Sequence, residues 1–235
     1  MPLLTEPELV LQHQQNLFIL DKLASKDPKQ AIEIVGDYLP GLLQISRVED
    51  KAVLYMDQES ESLFHLHPQE IEAMQGDFVT KYVHQDTIER VFPRIVTFAQ
   101  QADNTAVYSD FQQVKLRNEE GYEYVLTSAK SIGQGESLVL FSIPVVSLGG
   151  VSKKIIQVLE EDEFVRKHFQ YFNRLGKREK EIIQFIALGK TNKEVGEIMC
   201  ISELTVKTHR KNIKQKLNIK STAELIQMAY RFDLV

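Results

Sequence analysis

Between Ala187 and Leu217 the chain reads ALGKTNKEVGEIMCISELTVKTHRKNIKQKL, and this segment constrains the fold more than any other. Its signals are those of two short helices joined by a tight turn. Thr191 stands where it can cap the first helix, with Glu194 three residues on to complete a capping box. Val195, Ile198 and Met199 follow at helical spacing. Cys200-Ile201-Ser202 makes the turn, and Ser202 caps a second helix that runs to about Leu217. On that helix Val206, Ile213 and Leu217 share one stripe and should pack inward. Lys207, Lys211 and Lys214 fall at i, i+4 and i+7 on another face, with Thr208 beside them. A row of cations with a small hydroxyl residue suits a major groove, where cations meet phosphates and guanine edges and threonine fits close to a base. The same row could be an ordinary solvated helix face. The two capped helices and the turn between them weigh toward DNA.

The residues from Leu175 on, LGKREKEIIQFIALGKTNKEVGEIMCISELTVKTHRKNIKQKLNIKSTAEL, resemble the helix-turn-helix of the LuxR/NarL family of bacterial transcription regulators. The resemblance covers about the last quarter of the chain and rests on TVKTH followed by NI and KL, with REKEII upstream and GKTNKE between. Three positions depart from the usual pattern. Gly176 stands where a capping Thr is common, Gly196 replaces a customary Ala, and Cys200 occupies a place where helix-turn-helix motifs often carry a turn glycine. A left-handed conformation at Cys200 would cost about 1 kcal/mol. The resemblance implies that Lys207, Thr208 and Lys211 read base edges. It implies phosphate contacts from Asn192, Lys193, Thr205, His209 and Lys214, with packing or capping as the other reading of His209. A last helix, capped by Ser221 with Glu224, carries Ala223, Leu225, Ile226, Ala229 and Tyr230. In the family this helix is a dimerisation surface, which assigns Leu225, Ile226, Ala229 and Tyr230 to a dimer. Closure of the small domain's own core is the alternative, and both can hold.

Charge divides the chain in the same place. The formal net charge is −5, yet Lys177–Val235 holds 12 basic and 7 acidic residues, a net of +5, and residues 1–176 hold 16 basic and 26 acidic, a net of −10. A basic tail on an acidic body fits a DNA-binding unit attached to something that does not bind DNA. Cys200 is the single cysteine, which rules out an intrachain disulfide and a Cys-based metal site and favours a reducing compartment. The start, MPLLTEPELV, lacks a basic n-region and a cleavable apolar core, and no run approaches bilayer-spanning length. The expected location is the cytoplasm.

The body carries its own pattern. Residues 5–24 read as an amphipathic helix with Thr5 and Glu8 as a capping box, after which Gly36 and Pro40-Gly41 punctuate the chain. Leu42–Ser46 and Ala52–Met56 read as paired strands around a turn at Glu49-Asp50-Lys51. Short helices are expected at Ser60–Leu66 and Pro68–Met74. A longer one follows from His84-Gln85-Asp86 through Ile88, Val91, Ile95 and Phe98, kinked at Pro93. Val107–Arg117, Tyr122–Ser131 and Ser137–Val145 alternate as strands, with Glu119-Glu120-Gly121 turning the chain between the first two. This order over Val35–Val146 resembles a PAS domain, and Tyr82-Val83-His84-Gln85-Asp86 is similar to that family's hydrophobic–His–Pro–Asp lead into its long helix, with Gln85 in place of the Pro. PAS domains bind varied ligands, mediate dimers, or do both. Ser152–Leu159 and Glu163–Phe172 are helical candidates, the acidic block Glu160–Glu163 either interrupting or exposing the middle, and their Phe164, Val165, Phe169 and Phe172 need a packing partner.

Other chemistries find little footing. Gly189-Lys190-Thr191 would need a glycine at position 184, which is Gln, and a preceding strand to form a phosphate loop. A phosphoacceptor receiver would need a Lys-Pro and strand–helix alternation, and an acyl-homoserine-lactone pocket usually contains Trp, which this chain lacks. Haem has no His on the long helix to hold it, and a photoactive flavin has no Cys in the body. His65 and His67 stand at i, i+2 without a third ligand, and no nucleophile–base pair emerges.

The expected fold class is α+β: a PAS-like antiparallel sheet domain with flanking helices, joined by a helical coupler to an all-α four-helix LuxR-type helix-turn-helix domain. The divisions fall at 1–34 (N-terminal helical segment), 35–148 (PAS-like sensory domain), 149–174 (helical linker) and 175–235 (DNA-binding domain). The expected function is sequence-specific, non-enzymatic transcription regulation by a homodimer on double-stranded DNA. RNA polymerase is a candidate further partner, and an unidentified small molecule in the PAS-like domain is the only candidate cofactor or ligand. No metal, no catalytic residue and no membrane are expected. The alternatives are a sigma-like factor associated with RNA polymerase and a DNA-tethered enzyme.

Overall fold

The computed structural model describes residues 41–101, 103, 106–116 and 121–235. The expected helix at 5–24 lies outside them, as do Gly36 and Pro40 and, of the expected turn Glu119-Glu120-Gly121, Glu119 and Glu120. The chain divides into two compact units, Met1–Lys153 and Lys154–Val235. Among the described residues no helix is long and apolar enough to cross a membrane.

The first unit is built on β1 (Leu42–Arg47), β2 (Val53–Met56), β3 (Tyr108–Val114), β4 (Glu123–Ile132) and β5 (Ser137–Pro144). They form one antiparallel sheet in the order β2-β1-β5-β4-β3. The alternation that marks these segments as strands also sorts their side chains. Leu43, Ile45, Val139 and Phe141 form one apolar cluster. Their neighbours Leu42, Gln44, Leu138 and Leu140 line a cavity with residues of the helices. Those helices, α1 (Gln58–Phe64), α2 (Pro68–Met74), α3 (Asp77–Tyr82), α4 (Gln85–Arg90) and α5 (Phe92–Gln100), all lie between β2 and β3 in the chain. Phe64, Ile71, Phe78 and Val79 pack with Leu42, Val114 and Val125 in the main core of this unit. Two strands, a run of helices and three strands is the order expected of a PAS-like domain.

Three local details differ from the sequence reading. The long helix expected after His84 is two helices. Val91 closes α4 through its N–H to Thr87 O at 2.8 Å, and Pro93 sits in the first turn of α5. A proline there meets no hydrogen-bond demand, because first-turn N–H groups have no intrahelical acceptor. Pro93 therefore begins a helix instead of kinking one. The short helix α3, in a segment without a helical expectation, puts Phe78 and Val79 into the core. The two helical candidates around the acidic block are one continuous helix, α6 (Ser152–Phe172), so the block exposes its middle, at Glu160 and Asp162, without interrupting it. Asp162 pairs with Arg166 at 2.8 Å, Glu163 pairs with Lys167, and Gln157 donates to Glu161 at 3.1 Å, all at i, i+4. Such pairs support a helix through an acidic run.

In the second unit, α7 (Lys177–Ala187), α8 (Asn192–Met199), α9 (Glu203–Leu217) and α10 (Thr222–Arg231) follow α6. Ile182, Ile183, Val195, Val206, Ile213, Leu217 and Leu225 close its core with almost no exposure. The ring of Phe172 at the end of α6 stacks on Phe232 with centroids 4.0 Å apart. Gly176 supplies half of a capping box, its N–H donating to Glu179 Oε2 at 2.9 Å with no hydroxyl to answer it. At Gly196 a Cβ would lie 2.7 Å from Ile201 O. The alanine customary in the resembled family would therefore not fit this backbone without a shift.

Candidate functional sites

The helix-turn-helix is set by reciprocal caps. Glu194 N–H donates to Thr191 Oγ1 at 3.3 Å, and Thr191 N–H donates to Glu194 Oε2 at 2.7 Å. Three residues past the end of α8, Ser202 Oγ accepts from Thr205 N–H at 3.0 Å and starts α9. Between them Cys200 takes the left-handed conformation (φ 56°, ψ 43°), and Ile201 N–H reaches back to Gly196 O at 2.9 Å. The turn is therefore specified by its own hydrogen bonds.

This scaffold turns Glu203, Leu204, Thr205, Lys207, Thr208 and Lys211 to solvent, while Val206 is fully buried. Lys207 Nζ lies 2.8 Å from Glu203 Oε1. The hydrogen bond from Lys207, its charge and that of Lys193 hold the Glu203 carboxyl below its ordinary pKa, against a smaller opposing effect of desolvation. Lys193 is thus close enough to bear on the same carboxylate from the start of α8. Lys193, Lys207 and Lys211 are exposed on this part of the unit.

The remaining expected phosphate residues are less free. Arg210 donates from Nη1 to Asn192 Oδ1 at 2.9 Å and from Nη2 to Thr222 Oγ1 at 3.3 Å; Lys214 Nζ also reaches Thr222 Oγ1 at 3.3 Å. Asn192 and Lys214 thus belong to a network joining α8, α9 and α10, and burial lowers the pKa of the arginine at its centre. Arg210 escaped the sequence reading because nothing in the basic run KTHRK distinguishes it from its neighbours. His209 is half-buried and contributes its charge to Glu179 on α7. Of the four residues assigned to a dimer, Leu225 and Ala229 are wholly enclosed in the unit's own core, so neither presents a surface to a second chain. Ile226 is half-buried and Tyr230 is 58 % exposed.

The first unit encloses a cavity of about 90 Å³ between the sheet and α1, α3 and α5. Phe64, Phe78, Val79, Ile95 and Leu138 supply an apolar wall, and Gln44, Ser46, Gln112, Thr127 and Ser142 form a neutral polar band across the sheet. Gln44 Nε2 donates to Ser46 Oγ at 2.5 Å, and the hydroxyls of Thr127 and Ser142 share a hydrogen bond of 2.8 Å. Ser60 lines the same space and is 1 % exposed, and its Oγ has no hydrogen-bond partner. No carboxylate lines the cavity, and its charged lining residues are Arg47 and Lys51. Among the described residues no group of three or more His, Cys, Asp or Glu is placed to hold a metal ion.

Residues 173–229 match the family described as bacterial regulatory proteins, luxR family. Over 72 residues the chain is 46 % identical to the response regulatory protein YgeK of Escherichia coli (strain K12), covering 31 % of this chain and 49 % of that one. Over 167 residues it is 29 % identical to the transcriptional regulatory protein LiaR of Bacillus subtilis (strain 168), covering 70 % and 73 % of the two chains. The chain spans half or less of the length of several other curated relatives, including YgeK. Among solved structures, the PAS domain of Cronobacter turicensis RpfR in complex with BDSF is similar with a TM-score of 0.37 and 15 % identity, over 45 % of this chain and 94 % of that one.

Proposed function

We propose that the LuxR-family helix-turn-helix domain at residues 173–229 binds duplex DNA and makes this chain a transcription regulator governed by its N-terminal unit. The observation that carries the reading is the exposed face of α9, where Lys207, Thr208 and Lys211 stand clear of the core on a helix fixed by Ser202. In this reading α9 enters the major groove, and Lys207, Thr208 and Lys211 meet base edges. Lys193 and Thr205 bind phosphate directly. Asn192 and Lys214 hold the domain's shape through Arg210 and Thr222, and touch phosphate at the margin. Two chains would read an inverted repeat, with Ile226 and Tyr230 the two of the four assigned α10 residues still available to the second copy.

The cavity supports a sensory role for the first unit. Its polar band and apolar wall suit a small, largely apolar molecule with hydrogen-bonding groups on one edge. Such a ligand acts on DNA binding only to the extent that it favours one arrangement of the chain over another. The chain works as a regulator in the cytoplasm and carries out no reaction of its own.

The test is selection of a binding site from random duplexes, followed by titration. Lys207→Ala or Lys211→Ala should each lose about 1–3 kcal/mol on the selected site and much less on unrelated DNA. Equal affinity of all three proteins for the selected site would overturn the base-reading assignment.

A further inference from the structure

We propose that Leu204 and the methyl group of Thr208 form an apolar reader that recognises the C5-methyl of thymine between the two lysine contacts. The inference rests on the DNA-binding reading of α9 and adds a base identity to it. Leu204 is 73 % exposed, more than any other large apolar side chain among the described residues. A lone exposed leucine needs no explanation; its position does. It is the second residue of α9, and the N-terminal residues of a recognition helix are those that contact base edges. Helical side chains lean toward the helix N-terminus, so Leu204 covers the leading end of the groove-facing surface. One turn later, Thr208 Oγ1 donates to Leu204 O at 3.0 Å. With its hydroxyl turned back to the helix, Thr208 offers its methyl outward. The two therefore make one apolar strip at i, i+4, set against Lys207 and Lys211 on the same exposed helix. In the major groove the apolar group that a base pair presents is the thymine methyl.

The experiment uses the full-length chain and its selected operator. Each thymine of a half-site is replaced in turn by deoxyuridine, which removes the methyl and leaves every hydrogen-bonding group. For the unmodified protein, at least one position should cost about fourfold in affinity, the value of one buried carbon. Leu204→Ala should bind more weakly on the thymine operator and lose that sensitivity, so that deoxyuridine at the same position costs less than about 1.5-fold. Thr208→Val, which keeps the methyl, should retain the sensitivity. The proposal is overturned if no position responds to deoxyuridine, or if Leu204→Ala responds as fully as the unmodified protein, while selective DNA binding stands. Failure to select any sequence would instead overturn the DNA-binding reading, and this proposal with it. Leu204 contributes nothing to the core, so circular dichroism of Leu204→Ala should match the unmodified chain.

Discussion

Lys216 Nζ lies 2.8 Å from Glu179 Oε2, tying α9, which carries the exposed lysines, to the first turn of α7. Burial alone would raise the pKa of this carboxyl. The hydrogen bond from Lys216, the Gly176 N–H and the charges of Lys216 and His209 outweigh it and hold the value below the ordinary 4.5. The carboxylate is therefore worth more in the folded chain than in the unfolded one. Its contribution is fully present above pH 4.5 and is lost as pH falls through the lower folded value. Glu179→Gln should destabilise the second unit by about 1 kcal/mol near neutral pH, since the lysine end of the pair is well solvated. It should also flatten the acid limb of a stability–pH curve measured by urea denaturation. An unchanged acid limb would show that Glu179 is not the group that titrates.

Cys200 carries a backbone cost that its side chain does not repay. It caps α8 at φ 56°, where a Cβ crowds the backbone and glycine does not. The thiol is exposed, so nothing packed is lost with it. Cys200→Gly should raise stability by about 0.5–1 kcal/mol, part of the gain being taken back by the freer unfolded chain. DNA affinity should be unchanged. A lower midpoint in denaturant would mean that the sulfur makes a contact worth more than the strain.

These cases also show what was legible in the chain. Capping is local, so Thr191 with Glu194, Ser202 and Ser221 with Glu224 could be read three residues at a time. Alternation is local too, and the observed strands lie within two or three residues of the expected ones. What could not be read depends on residues brought together from afar. The pairing of β1 with β5, which sets Gln44 opposite Leu140, determines the sheet order and the cavity wall. Arg210 gains its role from Asn192 and Thr222, neither of which is near it in the chain. Leu225 and Ala229 carry the apolar spacing of a surface stripe and of a core stripe alike, and packing against α7 decides between them.

Glu203 stands beside the proposed base readers with the wrong sign for DNA. It pairs with Lys207, both side chains being about half exposed. On a free surface such a pair adds little to stability, and its effect should appear in binding. Glu203→Gln would release Lys207 and remove a charge that repels phosphate. Affinity for unrelated duplex DNA should rise about threefold to tenfold, and the salt dependence should steepen by about one counterion. The ratio of operator to unrelated affinity should fall, because the gain carries no sequence information. Fluorescence anisotropy across a salt series measures all three, and a rise confined to the operator would assign Glu203 to base readout instead.

Ser60 gives the sensory reading its sharpest test. Asp57 Oδ1 accepts from Ser60 N–H at 3.0 Å and from Leu43 N–H at 3.2 Å, fixing the start of α1 against β1. The Ser60 hydroxyl is thereby held at the cavity wall with no acceptor or donor of its own. A buried hydroxyl without a partner costs about 1–3 kcal/mol, and alanine is the better helix former. In protein stripped of small molecules, Ser60→Ala should therefore stabilise the first unit by about 1 kcal/mol, read as a higher denaturation midpoint. In protein carrying a ligand that bonds this hydroxyl, the same substitution should lower the midpoint and weaken the ligand. The opposite signs separate a binding site from a packing fault. Native mass spectrometry of the purified chain before and after stripping identifies which form each melt reports. Destabilisation of equal size in both forms would show that the hydroxyl serves the fold, and the cavity would lose its strongest claim to a ligand.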